Sequence, residues 1–139
     1  MIKEVTTFIA TRLPTLTRDT DLFAGHRPQG AQDDCDVVLE SAGGSVFPEL
    51  PERADVVFQV LSRDTTYMTA RDRSWAIYKA IYRDWTLGSA GWSIGPVLPG
   101  GDEYEIMVLE PLATPQYIGQ DEKGRYEFST NYLMKIKSF

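Results

Sequence analysis

The chain has 139 residues, is 42% hydrophobic and 24% charged, and carries a net charge of −6. That length supports one domain, so residues 1–139 are expected to fold as a single unit, and the composition excludes global disorder. Fourteen Lys and Arg against twenty Asp and Glu argue against a protein that holds nucleic acid by neutralising many phosphates, and no apolar run reaches the ~18 residues of a membrane span.

Residues 2–13 place Ile2, Val5, Phe8, Ile9 and Leu13 on one stripe, and Pro14 closes the segment. This spacing predicts an amphipathic N-terminal helix rather than a signal peptide. Residues 15–34 are polar and rich in turn formers, so they read as a long loop with a short extended piece at Leu22 and Phe23. Residues 35–41 read as a strand, followed by an irregular excursion marked by Gly43, Gly44, Pro48 and Pro51.

Residues 53–62 are β-branched, with apolar side chains on both parities. They predict a central strand that is covered on both faces or meets another subunit. Asp64, Thr65 and Thr66 offer an N-cap for a long helix whose core stripe is Ala70, Ser74, Ile77, Tyr78, Ile81 and Trp85, ended by Gly88 and Gly91. Residues 104–111 predict a strand. Residues 116–119, a turn at 120–124 and a long alternating strand from Arg125 predict a hairpin with one wet face. The result is an α+β fold: a mixed, mostly antiparallel sheet with an N-terminal helix and one long central helix packed on it.

Catalytic and metal chemistry find little purchase. His26 is the only histidine and Cys35 the only cysteine, so neither a multi-cysteine metal site nor a nucleophile–histidine pair assembles. Asp33, Asp34 and Asp36 lack the glycine and distal glutamate of a calcium loop and read as a solvated acidic loop. Cys35, beside a strand, reads as a small buried hydrophobe. The pairs Gly43-Gly44 and Gly100-Gly101 read as turns rather than phosphate loops. Glu103 and Glu105 share a strand face and are the one conceivable carboxylate pair for a hydrolase, though exposed charge is the commoner meaning. No cofactor is implied.

The central helix is more informative. Residues 51–99 are the least acidic part of the chain, at net +1, and Arg71, Arg73, Lys79 and Arg83 gather on this helix. They read as an exposed charged face, with phosphate binding as the competing meaning. Trp75 and Tyr82 lie seven apart, off the core stripe, and form a candidate second apolar stripe. Arg, Tyr and Trp are enriched in interface hot spots, and two buried faces on one helix imply a partner.

Three stretches carry a family resemblance: VVFQVLSRDTTYMTARDRSWAIYKAIY (56–82), VLPGGDEYEIMVLEPLATPQYIG (97–119) and DEKGRYEFSTNYLMKIK (121–137). Together they resemble the minor capsid and tail-completion proteins of tailed bacteriophages, tail terminators in particular. The first fifty residues share only the general layout. The resemblance implies a structural protein of the virion neck, made in the host bacterial cytoplasm, with no catalytic role. It implies a homohexameric ring that caps the tail tube, stops its growth and presents a surface to the head connector. DNA would pass through such a ring without sequence-specific binding, which an acidic lumen would assist. A head-completion or connector protein of the same neck is the alternative.

Candidate interface residues under this reading are Arg63, Tyr67 and Arg71 at the helix start, Trp75 and Tyr82 on the second stripe, and Asp121, Glu122 and Arg125 at the hairpin tip. Gly124 supplies a positive φ there. Arg125 is a candidate partner for an acid on an adjacent subunit, and Asn131 for a cross-strand bond.

Overall fold

The computed structural model describes residues 2–42, 44–51, 53–83 and 105–137. Two twelve-residue strands, β3 (Arg53–Asp64) and β6 (Tyr126–Lys137), pair antiparallel along their whole length and form the spine. Alternation fixes the register: Phe58 opposes Tyr132 and Val60 opposes Thr130, so apolar side chains from both strands fall on one face. On the other side of β3 lies β2 (Cys35–Ala42), antiparallel, and β1 (Leu22–Ala24) adds to β2 in parallel. The free side of β6 is shared by β4 (Glu105–Pro111), opposite residues 132–137, and β5 (Gln116–Gln120), opposite residues 126–129. The sheet has six strands and is antiparallel except at β1–β2.

Helix α1 (Ile2–Arg12) buries Val5, Phe8 and Ile9, as its stripe predicts, while Ile2 and Leu13 pack at the margin. Helix α2 (Tyr67–Tyr78) buries Ala70, Ser74 and Ile77, and a π-helical turn over Lys79–Arg83 continues it. The three- and four-residue spacing predicts one long helix; its regular α-helical part ends at Tyr78, where the wider turn takes over. The predicted continuation through Trp85 to Gly88 and Gly91 lies outside the described residues, as do Gly43, Gly100, Gly101, Glu103 and Tyr104. Both helices meet the same side of the sheet, where Val5, Ile9, Phe58, Ile77, Tyr132 and Met134 belong to one core.

The N-cap differs in detail from expectation. Thr66 occupies the cap position with extended backbone but makes no side-chain cap bond. Asp64 does the local work instead, its Oδ1 accepting from the Thr66 N–H and the Thr65 hydroxyl, each at 3.3 Å.

The second face of the sheet is only partly wet. A smaller cluster of Phe23, Cys35 and Val37 is buried there, flanked by Ala31, Leu39 and Leu61. The loop after β1 covers this side, and Arg27 reaches Glu127 of β6 at 3.1 Å. Consequently Ser129 is buried and Glu127, Asn131, Leu133 and Lys135 are half-buried, less wet than their alternation suggests. The cross-strand side-chain bond on this face runs from Gln59 Nε2 to Ser129 Oγ at 2.6 Å, one pair away from Asn131. Cys35 is fully buried, and that burial raises its thiol pKa against the pull of Arg27 and Arg63. It is a packing residue, as expected.

The segment between β2 and β3 runs flush against β3. A Cβ on Gly44 would collide with the Asp55 carbonyl, so only glycine permits this approach. The Asp55 N–H donates to the Ser45 carbonyl at 3.0 Å, and Val46 bridges Ala54.

Candidate functional site

The residues of the predicted interface fall on three separate surfaces. The first is the outer side of α2. Since Ala70, Ser74 and Ile77 face the sheet, residues 71, 75 and 79 point away from it. The Arg71 guanidinium lies over the Trp75 ring, 5.6 Å from its centroid. Trp75 meets Tyr78 edge-on at 5.2 Å, and Tyr78 meets Tyr82 at 5.8 Å. Arg71, Asp72, Trp75, Ala76 and Lys79 line an open depression of about 430 Å³. The second stripe thus exists as a continuous aromatic and basic surface. Met68, 55% exposed, extends it at the N-terminal end; an isolated methionine carried no signal in the sequence.

The second surface is an aromatic cluster where α2 begins. Tyr67 packs edge-on against Tyr117, Tyr126 and Phe128 at 5.2, 5.8 and 5.2 Å. Tyr67 and Tyr117 remain 40% and 42% exposed, beside Ile118 at 50%. Arg63 does not join them. It sits one residue out of phase on β3, so it projects to the opposite face of the sheet. There it is buried, donating from Nε to the Asp33 carbonyl at 3.1 Å and from Nη2 to the Gln32 carbonyl at 2.6 Å. The expected grouping of Arg63 with Tyr67 and Arg71 is therefore split by the pleat, and Arg63 serves to hold the loop before β2.

The third surface is the hairpin tip. Asp121 Oδ1 accepts the backbone N–H groups of Lys123 and Arg125 at 3.0 and 2.9 Å, and its Oδ2 takes Arg125 Nε at 2.7 Å. Gly124 has φ of 75°, the left-handed conformation expected of it. Arg125 Nη1 reaches Asp33 Oδ1 at 3.1 Å. The acids that partner Arg125 thus come from its own chain, and Glu122 alone of the three tip candidates is fully exposed. Partial burial raises the Asp121 pKa, but the Arg125 and Lys123 donors outweigh it and hold the carboxyl below its ordinary 3.8. A lowered folded value means the stability it contributes is complete above pH 3.8 and is lost as the pH falls below that. Asp121→Ala is expected to cost about 1–2 kcal/mol at pH 7 by removing these turn bonds. Urea titrations at pH 7 and pH 3 check this: the difference between variant and wild type should shrink at the lower pH.

Arg73, placed by its spacing on an exposed basic face, is instead nearly covered. Its Nη2 pairs with Asp36 Oδ2 at 2.6 Å, and Nη1 lies 3.5 Å from Asp34 and 3.8 Å from Asp64. Asp36 is fully buried, so the solvated acidic loop ends before it. Two expectations fail together here because the partners are 37 residues apart and each hides the other. With Arg73 neutralised, the outward charge among the described side chains of α2 and its π-helical turn is Arg71 and Lys79 against Asp72.

A further exposed apolar group lies on the segment before β3. Val46, Phe47 and Leu50 are 77%, 37% and 41% exposed, and Phe47 and Leu50 border a groove of about 280 Å³ with Arg53, Ala54, Lys135 and Ile136. Its Pro-flanked sequence suggested only an excursion. Among the described residues no three His, Cys, Asp or Glu side chains gather as a metal site, and no helix is long and apolar enough to cross a membrane.

No family model and no curated protein matches the chain. Among solved structures it is similar to a chain of the virion of a native gene transfer agent particle, with a TM-score of 0.56 and 13% identity. The match covers 94% of this chain and 84% of that one, so the two share a fold over nearly their full lengths.

Proposed function

We propose that this protein is a structural component of a phage-type virion, and within it a tail terminator. A homohexameric ring of the chain closes the end of the tail tube and offers its other side to the head connector. The observation that carries the reading is the shared fold with a virion chain, extending over 94% of this sequence. Two features support it. The outer side of α2 and the segment before β3 leave aromatic and aliphatic side chains exposed in a single copy, as an assembling subunit requires. The net charge of −6 suits a passage through which DNA moves without sticking. The reading assigns the chain no catalytic step and no cofactor. It places the protein in the neck after synthesis in the host cytoplasm.

The test is to mix the purified protein with tail tubes assembled from the tube protein of the same genome. Negative-stain images should show tubes of fixed length with a ring of six copies at one end. Binding to the connector but not to tubes would favour a head-completion role, and a monomer that binds neither would overturn both. Trp75→Ala should reduce capping while leaving the folded monomer intact, because Trp75 is half-buried on the outward side of α2.

A further inference from the structure

The exposed apolar groups carry opposite charges at two separate places on the chain. On the outer side of α2, Met68 and Trp75 are accompanied by Arg71 and Lys79; Arg71 lies 3.7 Å from the largely exposed Asp72, and Lys79 is exposed and makes no ion pair among the described residues. On the segment before β3, Val46, Phe47 and Leu50 surround Glu49, also exposed and without an ion pair among the described residues. Pro48 and Pro51 stiffen that segment, and the Leu50 N–H bonds back to the Phe47 carbonyl at 2.8 Å, so little order remains to be gained on docking.

The two places cannot meet within one copy. Helix α2 starts against Tyr126 and Phe128 and passes Thr130, where Ser74 Oγ lies 3.4 Å from Thr130 Oγ1. The Val46–Leu50 segment borders Lys135 and Ile136 near the other end of β6. The depression lies beside Thr130, and from there to Ile136 the strand runs about 20 Å. A patch that finds its complement at a distant place on an identical chain makes a head-to-tail contact, which closes into a ring or extends into a filament.

We propose that the Val46–Leu50 segment of one copy seats in the depression on the outer side of α2 of the next copy. Phe47 and Leu50 lie against Trp75 and Met68, and Glu49 pairs with Arg71 and Lys79. This inference rests on the ring reading and names its contact. The occupant is a second copy because the charges match: Arg71 and Lys79 outnumber Asp72 in the depression on a chain that is acidic overall, and Glu49, the charge within the Val46–Leu50 segment itself, supplies the acid together with the apolar side chains, with Arg53 and Lys135 bordering the groove at its base.

The test exploits the head-to-tail geometry. Arg71→Glu presents an acidic depression to an acidic segment, and Glu49→Arg presents a basic segment to a basic depression. Each variant alone is expected to self-associate at least ~10-fold more weakly than wild type, since like charges then face each other. An equimolar mixture should regain wild-type association, because every contact in an alternating array is again complementary. Glu49 is exposed and the Arg71 side chain is 43% exposed, so near-wild-type unfolding curves are expected for the two variants. Sedimentation equilibrium up to about 1 mM reads the outcome. Single variants that associate like wild type, a mixture that fails to recover, or a wild type that stays monomeric throughout would each overturn the contact. Tube capping is scored separately: capped tubes with no charge-swap rescue leave the terminator reading intact and reject only this contact.

Discussion

Arg73→Met is expected to destabilise the protein by about 3–5 kcal/mol at pH 7, the usual cost of removing one partner from a buried ion pair. Asp36 is fully buried, and one of its oxygens, Oδ1, has no hydrogen-bond partner among the described residues even with Arg73 in place. The neighbouring Ser62 hydroxyl lies close enough to favour the carboxylate, yet outside hydrogen-bond geometry. Burial already pushes the Asp36 carboxyl above its ordinary 3.8, with Arg73 pulling it back. In the variant that pull is gone. The folded state then holds the proton still more tightly than the unfolded state, so stability falls as pH rises from 3.8 upward through the raised value. The penalty should therefore be larger at pH 7 than at pH 5. Urea unfolding followed by circular dichroism at both pH values reads it, and thermal unfolding at neutral pH should show a loss of about 10–15 °C in Tm. Arg71→Met, at a side chain 43% exposed, is the control and should change stability by less than about 1 kcal/mol. The double change Asp36→Leu with Arg73→Met should recover part of the loss, since it removes the fully buried carboxylate, while Asp64, also buried and 3.8 Å from Arg73, keeps its bonds to Thr65 and Thr66.

The second large effect is expected in the stacked core. Phe58 and Tyr132 are both fully buried, with ring centroids 5.1 Å apart and planes 15° from parallel. They join the two spine strands beneath both helices, so Phe58→Ala should cost about 3–5 kcal/mol through lost burial and the cavity left behind. Tyr132→Phe should behave oppositely. Burial raises the pKa of its phenol, which stays neutral, and the hydroxyl makes no hydrogen bond among the described residues. The Thr130 hydroxyl is near enough to favour the phenolate slightly but is not in bonding geometry. Removing a desolvated, unpaired hydroxyl should leave stability unchanged or raise it by up to about 1 kcal/mol. Chemical denaturation of the two variants side by side separates the contributions of ring and hydroxyl.

Where period alone decides, the sequence is a good guide. The stripe of α1, the alternation of β6, the central place of β3 and the hairpin of β5 with β6 all follow from which way successive side chains point. Period says nothing of what lies opposite. Arg73 has the spacing of an exposed residue and is covered by acids that the sheet brings to it, Asp36 of β2 and Asp64 of β3, with Asp34 of the loop before β2 beside them. The parallel pairing of β1 with β2 depends on the loop between them, whose path no local pattern specifies. Arg63 and Tyr67 are near neighbours in the chain but lie on opposite sides of the sheet, because one is counted along a pleat and the other belongs to the helix that follows. At the candidate interface, Trp75 was legible as a residue out of step with the core stripe. Val46, Phe47 and Leu50 were not, since apolar residues in an irregular segment have no period to break.

The missing side chain at residue 44 has a consequence for how that segment can be altered. Its course is dictated from beneath, by backbone lying directly on the Asp55 carbonyl, and not by the side chains it displays. Composition and placement are thus under separate control. A single methyl group, introduced as Gly44→Ala, would lift the whole stretch away from the strand while Phe47, Glu49 and Leu50 kept their identities. A surface made of the right residues would then be held at the wrong height.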